Sequence, residues 1–396
     1  MPEEYPAIQV ALDEARPGDL VSVAPGTYRE AVEVRVPRVT LRGRDRSTVV
    51  LDGGDRRANG VLLAGDGDVV ENLTVQRYTG NGILVSASYA TASSAYGGPP
   101  ASPATTAPAG APGGRTLAGF RVSYVTAADN GLYGVYAFGA TDGRIEHSYA
   151  SGHPDSGFYV GQCQPCDTLI DDVTAERNAV GYLGTNAGGG LSLTRSTFRA
   201  NRVGITPNSQ RQELLAPQRT ASIIGNLVED NGSPAAPIVA RGGFGVGILV
   251  GGGNANIIER NTVRGNLVAG VLLTDLDGFA PTGNRFVANK LSGNGTDLVF
   301  ASVAGGVVPL AGNCFESNEL TTQQPPALQQ SAPCSGAATL AGTDGGRLQR
   351  PPDPPGPSYR DVPLPPPQPS MPDAGASPTV GGRGAVLDAA TFGAPA

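Results

Sequence analysis

Repeatedly in this chain an asparagine is followed five residues later by a second, with an apolar residue two places after the first. Such frames are Asn226-Leu227-Val228…Asn231, Asn261-Thr262-Val263…Asn266, Asn284-Arg285-Phe286…Asn289 and Asn313-Cys314-Phe315…Asn318. Upstream the frame runs on with its first asparagine replaced, as Val125…Asn130, Val173…Asn178 and Ser196…Asn201. Asn178 and Asn201 are 23 residues apart, and so are Val173 and Ser196. A period of that size marks a solenoid, whose repeats bury their apolar faces only by stacking on their neighbours.

The repeat reads as strands. Apolar residues alternate in Val32, Val34, Val36 and in Leu191, Leu193, which is the period of a half-buried strand, and the several leucines per unit of a leucine-rich repeat are missing. Glycine, 57 of 396 residues, and asparagine sit between the runs, where tight left-handed corners suit them. Stacked asparagines hydrogen-bond from coil to coil as a ladder, so Asn178, Asn201, Asn226 and Asn261 are expected at corners and not in catalysis. The expected fold is all-β, a single-stranded parallel β-helix. Residues 1–30 supply a cap and first strand: Ile8, Ala11, Leu12 and Ala15 form a helical stripe that ends before Pro17-Gly18. The solenoid spans 31–344. It is interrupted by an insertion of about 87–115, whose low-complexity part is 99–114. Residues 345–396 form a tail with twelve prolines between 351 and 378, expected to be disordered or extended.

The opening Ile8-Gln9-x-Ala11-Leu12-Asp13-x-Ala15-x-Pro17-Gly18-Asp19, continued by Val21, Val23, Pro25-Gly26, Tyr28 and Glu30, resembles the start of many pectin-lyase-like, right-handed parallel β-helix proteins. The resemblance covers roughly residues 5 to 320. It implies an exported bacterial β-helix repeat protein and, for the enzymes on this fold, action on acidic polysaccharides.

Net charge is −7, and Lys290 is the single lysine, so a nucleic-acid partner is not expected. No apolar run is long enough to span a membrane. No signal peptide follows Met1, yet the cysteines and the resemblance lead us to expect a secreted or cell-surface monomer. Cys314 and Cys334 are expected to form a disulfide that ties down the last coil. Cys163-Gln164-Pro165-Cys166 reads as a local disulfide, a half metal site that would need His147 and His153, or a pair of free thiols.

Candidate chemistry concentrates between residues 147 and 208. Tyr136, Tyr159 and Tyr182 are spaced 23 and 23 and would stack on one face. Facing outward they form a sugar-binding platform; facing inward they form a core ladder. Val135 and Ala137 point Tyr136 outward, while the pattern near Tyr182 is ambiguous. We expect a polysaccharide or cell-surface glycan partner, with Tyr136, Tyr182, Gln162, Asn186, Arg199 and Asn208 as binding residues. The alternative is a lyase or C5-epimerase, which needs a base and a cation beside a uronate; His153, Asp155, Tyr159 and Arg202 have the right types. A third reading is a structural or adhesive spacer. Asp172 and Arg195 are expected to pair across coils. His147, aligned with Val122, Ile170 and Leu193, is expected to point inward. Asp275 and Asp277 suggest Ca2+, and no other cofactor or metal is expected.

Overall fold

The computed structural model describes residues 4–87, 115–238, 243–344, 348 and 350–375, and in them the alternating runs become three parallel sheets of 11, 10 and 11 strands. Each coil gives one strand to each sheet in turn. Leu20–Val23, Gly26–Tyr28 and Val32–Val34 are the first such set, and every strand pairs with its counterpart one coil on. Inward residues fill one continuous core, with Leu41, Val70, Val122 and Ile145 stacked along the first sheet and Phe158, Tyr182 and Ile205 along the third. Most of the insertion, residues 88–114, lies outside the described residues.

Helix Ile8–Glu14 covers the open end with Ile8, Ala11 and Leu12. Its N-cap residue, Ala7, offers no side-chain oxygen. The Glu30 carboxylate does so instead, accepting from the amides of Ile8 (3.2 Å) and Gln9 (3.2 Å). At the other end the disulfide Cys314–Cys334 ties the last strand of the first sheet to the chain beyond the short helix Leu328–Ser331, whose Leu328 is buried. Cys163–Cys166 is the second disulfide, which settles the choice among disulfide, metal and free thiols.

Asparagines form three ladders. Between the second and third sheets, Asn178, Asn201, Asn231, Asn266 and Asn294 bond amide to carbonyl along the axis at 2.8–3.1 Å. Between the first and second sheets run Asn226, Asn261, Asn289 and Asn318; between the third and first run Asn256, Asn284 and Asn313. Their role differs from the one expected. The left-handed corner residue is the one before the asparagine, such as Arg177, Ala200, Asp230 or Arg260, and the asparagine side chain satisfies the main chain that this corner leaves unpaired.

Two expected placements at these corners are corrected. Ile145, not His147, is in register with Ile170. His147 is itself a left-handed corner residue, stacked on Tyr124 with its Nδ1 2.7 Å from Asp172. Arg195 pairs with Asp171 and not with Asp172, because Asp171 is the last residue of its strand and the next coil's corner lies above it.

Of the tail, residues 350–375 are irregular apart from a 3-10 turn at Tyr359–Asp361, and run back along the coils to Arg42, Arg46 and Asn72. Residues 376–396 lie outside the described residues. No helix among the described residues is long and apolar enough to cross a membrane.

Candidate functional site

The outer face of the third sheet carries one row of side chains along its length, apolar or aromatic except for Thr206: Leu62, Leu84, Tyr136, Tyr159, Leu183, Thr206, Leu249 and Leu272 follow one another in register. At its middle the row is aromatic. Tyr136 stacks on Tyr133 (centroids 4.3 Å) and on Phe138 (5.6 Å), and lies 4.7 Å from Tyr159. Tyr133 meets Tyr159 edge-on at 5.4 Å. Tyr133, Tyr136 and Phe138 remain partly exposed, so the cluster presents rings to solvent.

Two carboxyl groups border it. Asp155 accepts a hydrogen bond from Tyr133, and its pKa is pushed up to about 6, chiefly by burial. Glu213 Oε1 lies 3.2 Å from the Tyr159 hydroxyl, which donates to it, and burial raises Glu213 to about 7. Burial, then the charges of Tyr136 and Glu213, hold the Tyr159 hydroxyl far above its usual range. Among the described residues no arginine or lysine contributes to the shift of either carboxyl. Glu213 Oε2 and Thr206 Oγ1 are buried and make no hydrogen bond among the described residues.

Glu213 reaches this place on a loop. Residues 209–218 leave the end of strand Val203–Asn208 and fold back over two earlier coils. Asn186 accepts from the Gln210 amide (3.0 Å) and donates to its carbonyl (2.8 Å). Gln162 Oε1 accepts from the Leu215 amide (3.0 Å), and Gln164 donates to the Leu215 carbonyl (2.6 Å). Gln162 and Asn186 therefore serve as a clasp for the loop, each from a left-handed corner. The disulfide Cys163–Cys166 closes the turn beside them.

The remaining sequence candidates fall elsewhere. Tyr182 is in register with Phe158 and not with Tyr159, because the coil between them is 24 residues long; one extra residue moves a side chain to the other face. It is 1% exposed and belongs to the core. Its hydroxyl has no hydrogen-bond partner among the described residues, so Tyr182→Phe is expected to keep glycan binding unchanged and to hold or slightly raise Tm. A loss of binding in that variant would place Tyr182 at the ligand after all. His153 is fully buried between Asn130 and Asn178, as a rung of the ladder, with no access to a substrate. Arg202 is buried at a corner, over the Phe244 ring and under the tail carbonyl of Pro354. Arg199 lies on the outer face of the second sheet, 2.8 Å from Glu176. Asn208 accepts from the Thr185 hydroxyl (2.8 Å). Asp277 is engaged by the Arg211 main chain, and no group of three or more acidic, histidine or cysteine residues arranged for a metal occurs among the described residues.

No protein-family model matches the chain, and no curated protein matches it. Solved structures do. The A-module of the mannuronan C-5 epimerase AlgE6 from Azotobacter vinelandii matches over 81% of this chain and 94% of its own, with a TM-score of 0.51 at 14% identity. The chain is a right-handed parallel β-helix. Two further β-helix structures are similar to it. The pectate lyase Pel9A covers 83% of this chain and 75% of its own, with 15% identity and a TM-score of 0.48. An alginate lyase from Paenibacillus sp. str. FPU-7 covers 80% and 95%, with 16% identity and a TM-score of 0.42. At such identities the likeness is one of fold, and the side chains of this β-helix must carry any statement about its site.

Proposed function

We propose that this β-helix binds a polysaccharide along the outer face of its third sheet, with Tyr133, Tyr136 and Phe138 as the platform and the buried Tyr159 packed beneath them. The observation that carries the reading is the packed aromatic patch bordered by Asp155 and Glu213. Sugar rings lay their C–H faces on aromatic rings, and their hydroxyls donate to carboxylates. Among the described residues no cation pairs with either carboxyl, which favours a neutral glycan over the acidic one implied by the sequence resemblance, since a uronate needs a positive charge beside it. The two disulfides and the glycan reading support an extracytoplasmic place of action.

Titration of a panel of neutral and uronate polysaccharides tests this. Neutral polymers are expected to bind, and Tyr136→Ala is expected to weaken them at least tenfold, about 1.4 kcal/mol, with the far-ultraviolet spectrum unchanged. Equal affinity of the variant and the parent protein would remove the platform.

A second reading, chemistry on the bound glycan, draws support from the same carboxyls: groups with pKa near 6 and 7 are suited to give and take protons near neutral pH. His153, Arg202 and the buried Tyr159 drop out of it, which leaves Asp155 and Glu213, the latter held by the Tyr159 hydroxyl. Proton spectra of each polymer after incubation decide the matter. New reducing ends, unsaturated sugars or inverted uronates would establish turnover, and unchanged spectra would leave a binding protein.

A further inference from the structure

Among the described residues, Arg46 and Arg202 are buried arginines whose guanidinium hydrogen bonds all go to neutral oxygens, and both end on the tail, where Asp353 adds its charge near Arg202. Arg46, 3% exposed, directs its guanidinium to neutral oxygens: Thr126 Oγ1 (2.9 Å) and the carbonyls of Val125 (2.7 Å), His147 (3.1 Å) and Pro369 (3.1 Å). Arg202, 1% exposed, donates to the carbonyls of Ala236 (3.4 Å) and Pro354. Other tail contacts follow the same rule. Arg42 donates to the carbonyl of Ala374 (2.8 Å) and Ser47 to that of Gln368 (3.2 Å). Asn72 Oδ1 accepts from the Met371 amide (2.8 Å). Tail side chains are engaged as well: Ser370 accepts from the Arg46 amide (2.9 Å) and donates to Asp45 (2.7 Å), and Arg360 donates to Asp55 (3.3 Å).

The path runs along the sheet. Arg202 follows strand Thr197–Arg199 and Asp55 follows strand Val49–Asp52, five steps away in the second sheet. At about 4.8 Å per step that is roughly 24 Å. The tail meets Arg202 at Pro354 and Asp55 at Arg360, and the stretch between them, which enters a 3-10 turn at Tyr359, spans at most the about 19 Å of six polyproline steps. The two arginine side chains at the ends bridge the remainder. From Arg360 the chain passes to Asp45, Arg46 and Ser47 at the opposite edge of the same sheet. The outward side chains Thr74, Thr126, Tyr149 and Ser151, on strands between the two anchors, are buried; Arg199, Arg264 and Lys290 on later strands are exposed.

An integral element of the fold buries its own apolar side chains. This one does not: within 350–375 only Val362 is buried, and Leu364 is half exposed. The tail is held largely by its main chain, as extended peptides are held when they bind a preformed surface, and prolines lower the entropy lost on docking. We propose that the outer face of the second sheet is a recognition groove for an extended proline-rich peptide, and that the chain's own residues 354–374 are its resident and exchangeable ligand. The groove lies on a different face from the aromatic site and is independent of the glycan reading.

The test keeps the whole chain. A protease recognition sequence is placed between Asp344 and Leu348, the folded protein is cut, and a fluorescent peptide of residues 350–375 is added. Exchange is expected: the label binds saturably, only after the cut, and a scrambled peptide of the same composition does not compete. A labelled peptide carrying Ser370→Ala and Met371→Pro loses three of the hydrogen bonds above and is expected to bind at least tenfold more weakly, with the protein itself unaltered. Three results would each overturn the proposal: a cut tail that stays in place and never exchanges, a protein that unfolds when the tail leaves, or a scrambled peptide that binds equally well.

Discussion

Asn261→Ala is expected to lower stability by about 4 kcal/mol, from the loss of four buried hydrogen bonds at roughly 1 kcal/mol each. Asn261 Oδ1 accepts from both the main-chain and side-chain amides of Asn226 (3.0 Å each), and its Nδ2 donates to Ile223 O and Asn289 Oδ1 (2.9 Å each). Alanine takes the hydrogen-bond partner from the buried Asn226 amide and the Ile223 carbonyl. The protein itself provides a graded control. Ser196 stands on the same ladder, and its hydroxyl accepts from the Val173 amide (3.1 Å) while donating to Thr194 O (2.7 Å). Asn261→Ser should therefore cost clearly less than Asn261→Ala. In a solenoid each coil contacts only its neighbours, so the loss should be local. Native-state hydrogen exchange reads it directly: protection of the amides around Asn226 and Val228 should fall, while that of the coils near Val70 stays. Protection within 1 kcal/mol of the parent at those amides would show that the ladder adds little.

The fold was legible in the sequence because its determinants are local and repeated. The asparagine frame, the alternation on either side of it and the stripe Ile8, Ala11, Leu12 each report one coil's needs, and stacking multiplies the signal. The site was legible only in part. Tyr136, Tyr159 and Asp155 stand on the strand and corner where the period puts them. Glu213 does not follow the period; it arrives on a loop that folds back over two coils, and its partners Gln162 and Asn186 announce nothing in sequence. An available hint was coil length: Val203 and Val246 are partners in register yet 43 residues apart, so the coil between them carries extra chain. Tyr182 was misplaced by a single inserted residue, which constant spacing conceals and strand alternation magnifies. Arg202 was misread because its environment comes from the tail, 152 residues away. His153 could have been placed correctly, since it follows Asn130 by the same 23 residues that separate Asn178 from Asn201.

That histidine gives the second large effect, a dependence of stability on acid. His153 fills a ladder position with a neutral ring: Nδ1 lies 2.8 Å from Asn178 Oδ1 and donates to it, and Nε2 lies 3.2 Å from Asn130 Nδ2 and accepts. Burial lowers its pKa to about 4, against 6.5 for an unperturbed imidazole. As pH falls through 6.5 the unfolded chain takes up a proton that the folded chain refuses, so stability drops until pH reaches about 4, where the folded form is protonated as well. The separation of the two pKa values corresponds to about 3 kcal/mol. Asparagine in the same position offers an acceptor to Asn130 and a donor to Asn178, as the other rungs do, and does not titrate. His153→Asn is therefore expected to match the parent at pH 7 and to exceed it by about 3 kcal/mol at pH 4. The buried carboxyls Asp68 and Asp129, raised to about 8 and about 7, titrate equally in both proteins and cancel from the difference. Denaturant unfolding of the two proteins at pH 7 and pH 4 measures it. Equal losses on acidification would mean that the ring accepts its proton without leaving the ladder, and the acid sensitivity would then belong to other groups.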